Sequence, residues 1–394
     1  MKKRKVIATI LAASMLVGLL ASCGGGGDTT ESPAGGESTP PAEETTGGEE
    51  PSGETTDWAN FTIDPAQIPQ EKLDTTLHLA VSVRGLENPY IATINDGMHL
   101  FAEYLDSIGQ KYEMQVLDSQ GDSAKEVDNM RQFAAMANGN AIAYADPNED
   151  TIAYSLAEAM AESGGYLGTA WNKPADVGPA DLTPNWVIHT SPDNVVNGYN
   201  IAKALFDSMG GSGQIFVVEG LLGNTANNDR VAGLEKALAE YPDIEVVAQD
   251  TGNWNTDEAL TLVETWLTQF PDVGGIWCAN DNMVTGAMQA LDAAGLLGQV
   301  GVCGVDANTD VVEAIANGNA TATVSSNGYL QGGYTLAICY AAWTGLLDVE
   351  ALPAEYREFA TPTVLIDSPE AAQEWQAYEP DFDFSRPFDC RVAE

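Results

Sequence analysis

From residue 76 onward, apolar and polar positions follow two alternating patterns. Short runs rich in Val, Ile, Leu and Ala predict buried strands at 77–83, 113–117, 141–145 and 166–170. Longer stretches with helical spacing of apolar residues predict helices at 91–108, 123–138 and 150–163. A connecting run at 186–189 follows, and the rhythm restarts. Helices are predicted at 195–209, 229–240, 256–270 and 283–294, alternating with strands at 214–218, 244–248, 275–278 and 301–305. A short helix near Val311, a strand at 320–325, a helix at 329–345 and a strand at 363–366 complete the pattern. Strand–helix alternation of this kind builds parallel sheets covered on both faces. The expected fold class is therefore α/β, with two doubly wound parallel-sheet lobes. The first lobe is expected to take about 75–175 with 327–347, and the second about 186–325 with 360–378.

The N-terminus departs from this pattern. Lys2, Lys3, Arg4 and Lys5 precede an apolar run at 6–20, which ends in Leu20-Ala21-Ser22-Cys23. A basic start, a short apolar core and small residues before a cut make a secretory signal rather than a spanning helix. The last four residues resemble a bacterial lipobox, which implies a signal peptide at 1–22 and lipidation of Cys23. Residues 24–57 are rich in Gly, Ser, Thr, Pro and Glu, with no basic residue. Such a segment buries too little surface to offset its ordering entropy. It is expected to be a tether, residues 23–57, with a reach of roughly 30 Å. Residues 58–394 are left as the folded part, long enough for two lobes of ordinary size.

Net charge is −42, which excludes nucleic acid and bare anionic membrane as natural partners. Of the five cysteines, Cys278, Cys303 and Cys339 lie in apolar runs and read as buried thiols, while Cys390 lies in the tail. Pairing among the four is open, since disulfides persist outside the cell. The three histidines are scattered, and no nucleophile–base or metal-ligand spacing appears. No enzyme activity, metal or cofactor is expected.

Ligands of open parallel sheets bind beyond the carboxyl ends of the strands. The residues there are Asn88-Pro89-Tyr90, Trp171-Asn172, the loop 223–230 with Asn224, Asn227, Asn228 and Arg230, then Asn253-Trp254-Asn255, Asn280-Asp281 and Asp306. Asn and Asp engage neighbouring hydroxyls as donors and acceptors, and indole faces stack on C–H surfaces. This set suits a neutral, hydroxyl-rich ligand, and Arg230 is the one cation in it. Other roles are open: Asn88, Asn280 and Asp306 also read as helix caps, and Trp171 and Trp254 as plugs between lobes.

Several stretches carry a resemblance. Asn88-Pro89-Tyr90 after the first strand is one, and Asp118-Ser119-Gln120-Gly121-Asp122 is another. Ser191-Pro192-Asp193-Asn194, Ala279-Asn280-Asp281-Asn282-Met283 and Gly304-Val305-Asp306 complete the set. Through them the chain from about Leu77 to Trp375 resembles the type I periplasmic sugar-binding proteins of the ribose and galactose/glucose group. The resemblance implies two lobes joined by a three-crossover hinge near 174–186, 325–328 and 347–362. It implies a monomer that captures a monosaccharide between the lobes and hands it to an ABC permease and its ATPase. It places Asn88, Tyr90, Trp171, Asn172, Asn228 or Arg230, Trp254, Asn280, Asp306 and Ser326 at the sugar. Asn88 stands where the glucose type carries an aspartate, and the loop 223–229 lacks that type's histidine. The calcium loop of that subgroup would fall at 209–214, which has no carboxylate here, so no calcium is expected. Sensing in place of transport, and a nucleoside or furanose ligand, remain alternatives.

Overall fold

The computed structural model describes residues 56–392. The leader, Cys23 and all but the last two tether residues lie outside the described residues. Two 3-10 turns and α1 (Gln70–Asp74) lead into β1 (Leu77–Val83), α2 (Pro89–Ile108), β2 (Tyr112–Asp118) and α3 (Ser123–Ala137). Next come β3 (Ala141–Ala145), α4 (Ala153–Glu162), β4 (Tyr166–Ala170) and β5 (Trp186–Ser191). The second set is α5 (Asn194–Ser208), β6 (Ser212–Glu219), α6 (Thr225–Glu240), β7 (Asp243–Thr251) and α7 (Thr256–Gln269). It continues with β8 (Gly275–Cys278), α8 (Asp281–Ala294), β9 (Gly301–Cys303), α9 (Thr309–Ala316) and β10 (Thr323–Ser325). The chain closes with α10 (Gly328–Thr344), α11 (Ala354–Arg357), β11 (Glu358–Ala360), β12 (Val364–Ile366) and α12 (Pro369–Gln376).

Most helices start where a short polar side chain follows a strand. The side chains of Asn88, Asp122, Asp193, Asn255 and Asn280 each accept a first-turn N–H, satisfying donors that a helix leaves unpaired. The first sheet has the order β11-β5-β4-β3-β1-β2 and the second β7-β6-β8-β9, with parallel pairing throughout. The antiparallel pair β10–β12 joins the second lobe through a bridge between Cys303 and Ala322. Both sheets reverse direction beside their first strand, between β1 and β3 and between β6 and β8. A doubly wound sheet opens its crevice at such a reversal.

The crossings differ from expectation. The run 186–191 pairs with β4 and β11 as a strand of the first sheet, so the chain leaves that lobe after Ser191 and not at 174–186. The run is almost wholly buried, and nonlocal pairing decides which sheet it joins. The chain returns to the first lobe through 326–327 and leaves again through 361–363. It then crosses a fourth time. Ile366 and Ala372 belong to the second core, whereas Phe384, Phe388 and Cys390 are buried in the first. The tail therefore docks, and four segments span the hinge. All four cysteines among the described residues are buried free thiols.

α10 is buried on nearly every side. It packs on α2 where Gly97 meets the backbone of Tyr329 and Gly333, and Gly332 meets Ile94. A Cβ at Gly97 would press into the Tyr329 carbonyl. Overpacking at rigid backbone costs about 1–3 kcal/mol, so Gly97→Ala is expected to lower stability by about that amount in urea unfolding. Gly109→Ala, at a site with open space but positive φ, is the comparison for backbone strain alone.

Candidate functional site

The carboxyl ends of both sheets face one inner cavity of about 60 Å³. A wider mouth of about 720 Å³ adjoins it and shares Arg84, Asn88, Ile91 and Trp254. The first lobe contributes Arg84, Asn88, Tyr90 and Ile91 after β1, Asp146 after β3, and Trp171 and Asn172 after β4. The second contributes Asn224, Ala226 and Arg230 from the start of α6, then Trp254, Asn280 and Asp306 after β7, β8 and β9.

Arg230 is the centre of this arrangement. Its side chain is buried. Nε donates to Asn194 Oδ1 at 3.0 Å and Nη1 to the Ala279 carbonyl at 2.8 Å. Its guanidinium carbon lies 5.2 Å from the Trp171 ring and 5.6 Å from the Trp254 ring, a cation held by one indole from each lobe. Trp171 also meets Tyr90 edge-on at 5.6 Å. Gly198 makes room for this turn of α6, because a Cβ there would strike the Arg230 backbone. The Trp254 indole N–H is buried with no protein partner among the described residues.

The polar groups are paired across the cavity walls. Asn280 accepts the Met283 N–H at 3.2 Å and donates to Asp306 at 3.4 Å. Asn88 accepts the Tyr90 N–H at 2.9 Å. Both asparagines therefore cap helices and line the cavity, with part of each amide left for the cleft. Tyr90 donates through its hydroxyl to Gln331 Oε1 at 2.7 Å. Asn172 donates to Asp146 at 3.2 Å and to the Pro147 carbonyl at 3.0 Å, and accepts from Ala226 N at 3.4 Å. Arg84 donates to Asn148 Oδ1 and to the Asn148 carbonyl, both at 3.2 Å.

Three cavity residues have left-handed backbone: Trp171 at φ 66°, Trp254 at φ 61° and Asp306 at φ 130°. Such conformations cost on the order of 1–3 kcal/mol each and persist where surrounding contacts hold them. Here they turn two indoles and a carboxylate into the cleft. Asp306 caps no helix, since α9 follows Asn308.

Two expected contacts lie elsewhere. Asn228 is exposed on α6, because that helix begins at Thr225, four residues before the expected start. Asn224 takes its place, buried and capping Asn227 N at 3.3 Å. Ser326 is buried but outside the cavity wall. Its neighbours Ser325 and Asn327 line a separate hinge-side cavity of about 560 Å³. Arg84, Asp146 and Ile91 join the site without having been singled out, while Asn224 and Ala226 come from the loop 223–230. Arg84 and Asp146 are each the residue immediately after a strand, and the strand-end rule applied to every strand reaches both. Arg230 is therefore not the only cation. Two guanidiniums face two carboxyl groups, and their charges balance when both carboxyls are ionised.

Burial pushes the Asp306 carboxyl up to about 7, with Arg230 and Asn280 pulling it down and Asp146 pushing it further up. Burial pushes Asp146 up to about 6 against Arg84, Asn172 and Arg230. Glu126, behind Asn148, is raised by burial to about 8. Between pH 6.5 and 8.5 these carboxyls are ionised in the unfolded chain, while the native protein still holds part of their protons. The native state thus binds more protons, and stability falls as pH rises through this window. His189, kept neutral by burial at about 3, acts below it, where stability drops as pH falls under about 6.5. Urea midpoints of the ligand-free protein are expected to fall from pH 6.5 to 8.5, and Asp306→Asn is expected to flatten that fall.

Comparison with known proteins places this geometry. Residues 79–346 match the periplasmic binding protein domain family. A xylitol-binding protein of Mycolicibacterium smegmatis is 34% identical over 193 residues, spanning 49% of this chain and 54% of that protein. The chain thus spans about half the length of that relative. The ribose import binding protein of Escherichia coli K12 is 28% identical over 63% of this chain and 78% of that one. A twin-arginine translocation pathway signal protein from Burkholderia phytofirmans, 32% identical, superposes with TM-score 0.76 over 81% of this chain and 99% of its own. With two doubly wound lobes, a shared cleft and this match over most of its folded length, the chain belongs to the periplasmic binding protein family.

Proposed function

We propose that this chain is an extracytoplasmic lipoprotein that captures a neutral monosaccharide or small polyol between its lobes and delivers it to an ABC import permease. The carrying observation is the balanced cavity: Arg84 and Asp146 on one lobe, Arg230 and Asp306 on the other, flanked by Trp171 and Trp254. Carboxylates only accept and guanidiniums only donate, so a molecule with many hydroxyls satisfies both sets without adding charge. A ligand with net charge leaves one buried pair uncompensated, which is costly. The relatives named for xylitol and ribose support the same class. Leu20-Ala21-Ser22-Cys23 supports the lipid anchor, and multiple acyl chains would hold the protein at the membrane. Among the described residues no helix is long and apolar enough to cross a membrane.

A thermal-shift screen over pentoses, hexoses, polyols, nucleosides and amino acids tests the ligand class. A ligand at about 100 times its Kd adds roughly 2.7 kcal/mol. Stabilisation by a sugar or polyol is expected. A response confined to amino acids or nucleosides would overturn the reading. Trp254→Ala is expected to weaken binding of the responding sugar more than about tenfold, or about 1.4 kcal/mol, beyond the loss of ligand-free stability that follows from its packing on Arg230 and the second core. Unchanged affinity would make Trp254 a packing residue only.

A further inference from the structure

Three contacts join the lobes at the first turn of α6. Thr225 N donates to Asp150 Oδ1 at 3.0 Å, Thr225 Oγ1 to the Lys173 carbonyl at 3.3 Å, and Ala226 N to Asn172 Oδ1 at 3.4 Å. Asp150 begins the 3-10 turn after β3, and Asn172 and Lys173 follow β4. All three acceptors belong to the first lobe. The leading N–H groups of a helix have no partner within it, and the helix dipole gives them partial positive charge. Asn224, the helix's own cap, serves only Asn227 N. The first two N–H groups of α6 are therefore satisfied by the other lobe, one of them by a carboxylate. The mouth at the other edge of the cleft, between Arg84 and Glu87 on one side and Asn253 and Asp257 on the other, has no such bond among the described residues.

We infer that Asp150 is a positioning residue for ligand capture: it latches α6, and with it Arg230, onto the first lobe, and so holds the cleft closed at one edge before any ligand arrives. Asp150 does not line the inner cavity, so it sets affinity through the population of closed protein. Affinity scales with the fraction of molecules already in the binding-competent state. Closure at this edge also leaves the wide mouth as the path for entry. The inference shares with the proposed function only the premise that the ligand binds between the lobes.

Two substitutions break the latch from opposite sides. Asp150→Ala removes the acceptor. Thr225→Pro removes the donor at the first helical position, where proline is well tolerated. Asn224 already has the extended backbone, φ −98° and ψ 127°, that precedes proline readily. Spin labels at Leu86→Cys and Leu222→Cys, exposed loop sites on the two lobes, report lobe separation in the ligand-free full-length protein. A short distance is expected for the parent, and a shift to longer distances in each latch variant with unchanged near-ultraviolet circular dichroism. Bound D-ribose or xylitol, whichever the screen selects, is expected to leave about tenfold faster from both variants. Identical distance distributions in parent and variants would overturn the latch, as would a ligand-free parent that is mostly open. If the distances shift and no sugar binds, the latch stands and the proposed ligand class falls.

Discussion

Arg230 carries its charge into a buried position in the cleft, and the cost of stranding a buried guanidinium organises what surrounds it. Asn194 and the Ala279 carbonyl take two of its donors. Asp306, Asp281 and Asp146 are the acids within reach of its charge. Those acids in turn need donors. Asp281, fully buried, accepts from Thr323 Oγ1 through both oxygens and from Asn308 N at 2.9 Å. That bond fixes the turn after Asp306 and ties it to β10, the strand that leads into the hinge. The side-chain network of one cation thus reaches from the cleft to the crossing segments.

The two lobes meet this cation on equal terms because they repeat one topology. In each, the strand order reverses beside the first strand, so each crevice opens on the same cleft. Helices start where strands end, and their first N–H groups must find acceptors. Asn88 and Asn280 meet that need and still present part of an amide to the cavity. Capping and ligand contact are therefore compatible roles of one residue, set by where the helix begins.

That coincidence explains what was legible in the sequence. Strand and helix periodicity located nearly every element, and strand ends located Tyr90, Trp171, Arg230, Trp254, Asn280 and Asp306. Their backbone was not legible: left-handed φ at Trp171, Trp254 and Asp306 is imposed by packing around non-glycine residues that give no local signal. Asn228 was misplaced because the helical period of α6 fades at its start, and a cap one turn earlier decides which face looks inward. The membership of β5 in the first sheet rests on pairing with β4 and β11, and no run of six residues encodes its neighbours. Arg84 and Asp146 follow their strands directly, but each stands beside or within a turn signal, Asn88-Pro89-Tyr90 and Asp146-Pro147, whose local pattern reads as a turn rather than a site.

The fourth crossing has a similar nonlocal cause. α10 is apolar or small on almost all faces, so a single layer of neighbours cannot cover it. α2 covers one side by close glycine contact. The tail covers another, with Phe384 against Tyr334 at 5.1 Å and against Phe101 at 5.6 Å. Its return path passes the hinge, where Trp375 stacks on Tyr378 at 5.0 Å and Asn327 donates to the Tyr378 hydroxyl at 3.0 Å. Asn327 is also the cap of α10. The demand for burial around one helix therefore runs a further strand of chain across the hinge and bonds it to the residue where that helix begins. The burial of α10 thus fixes where this crossing segment runs, and Asn327, which starts that helix, also bonds the segment at the hinge.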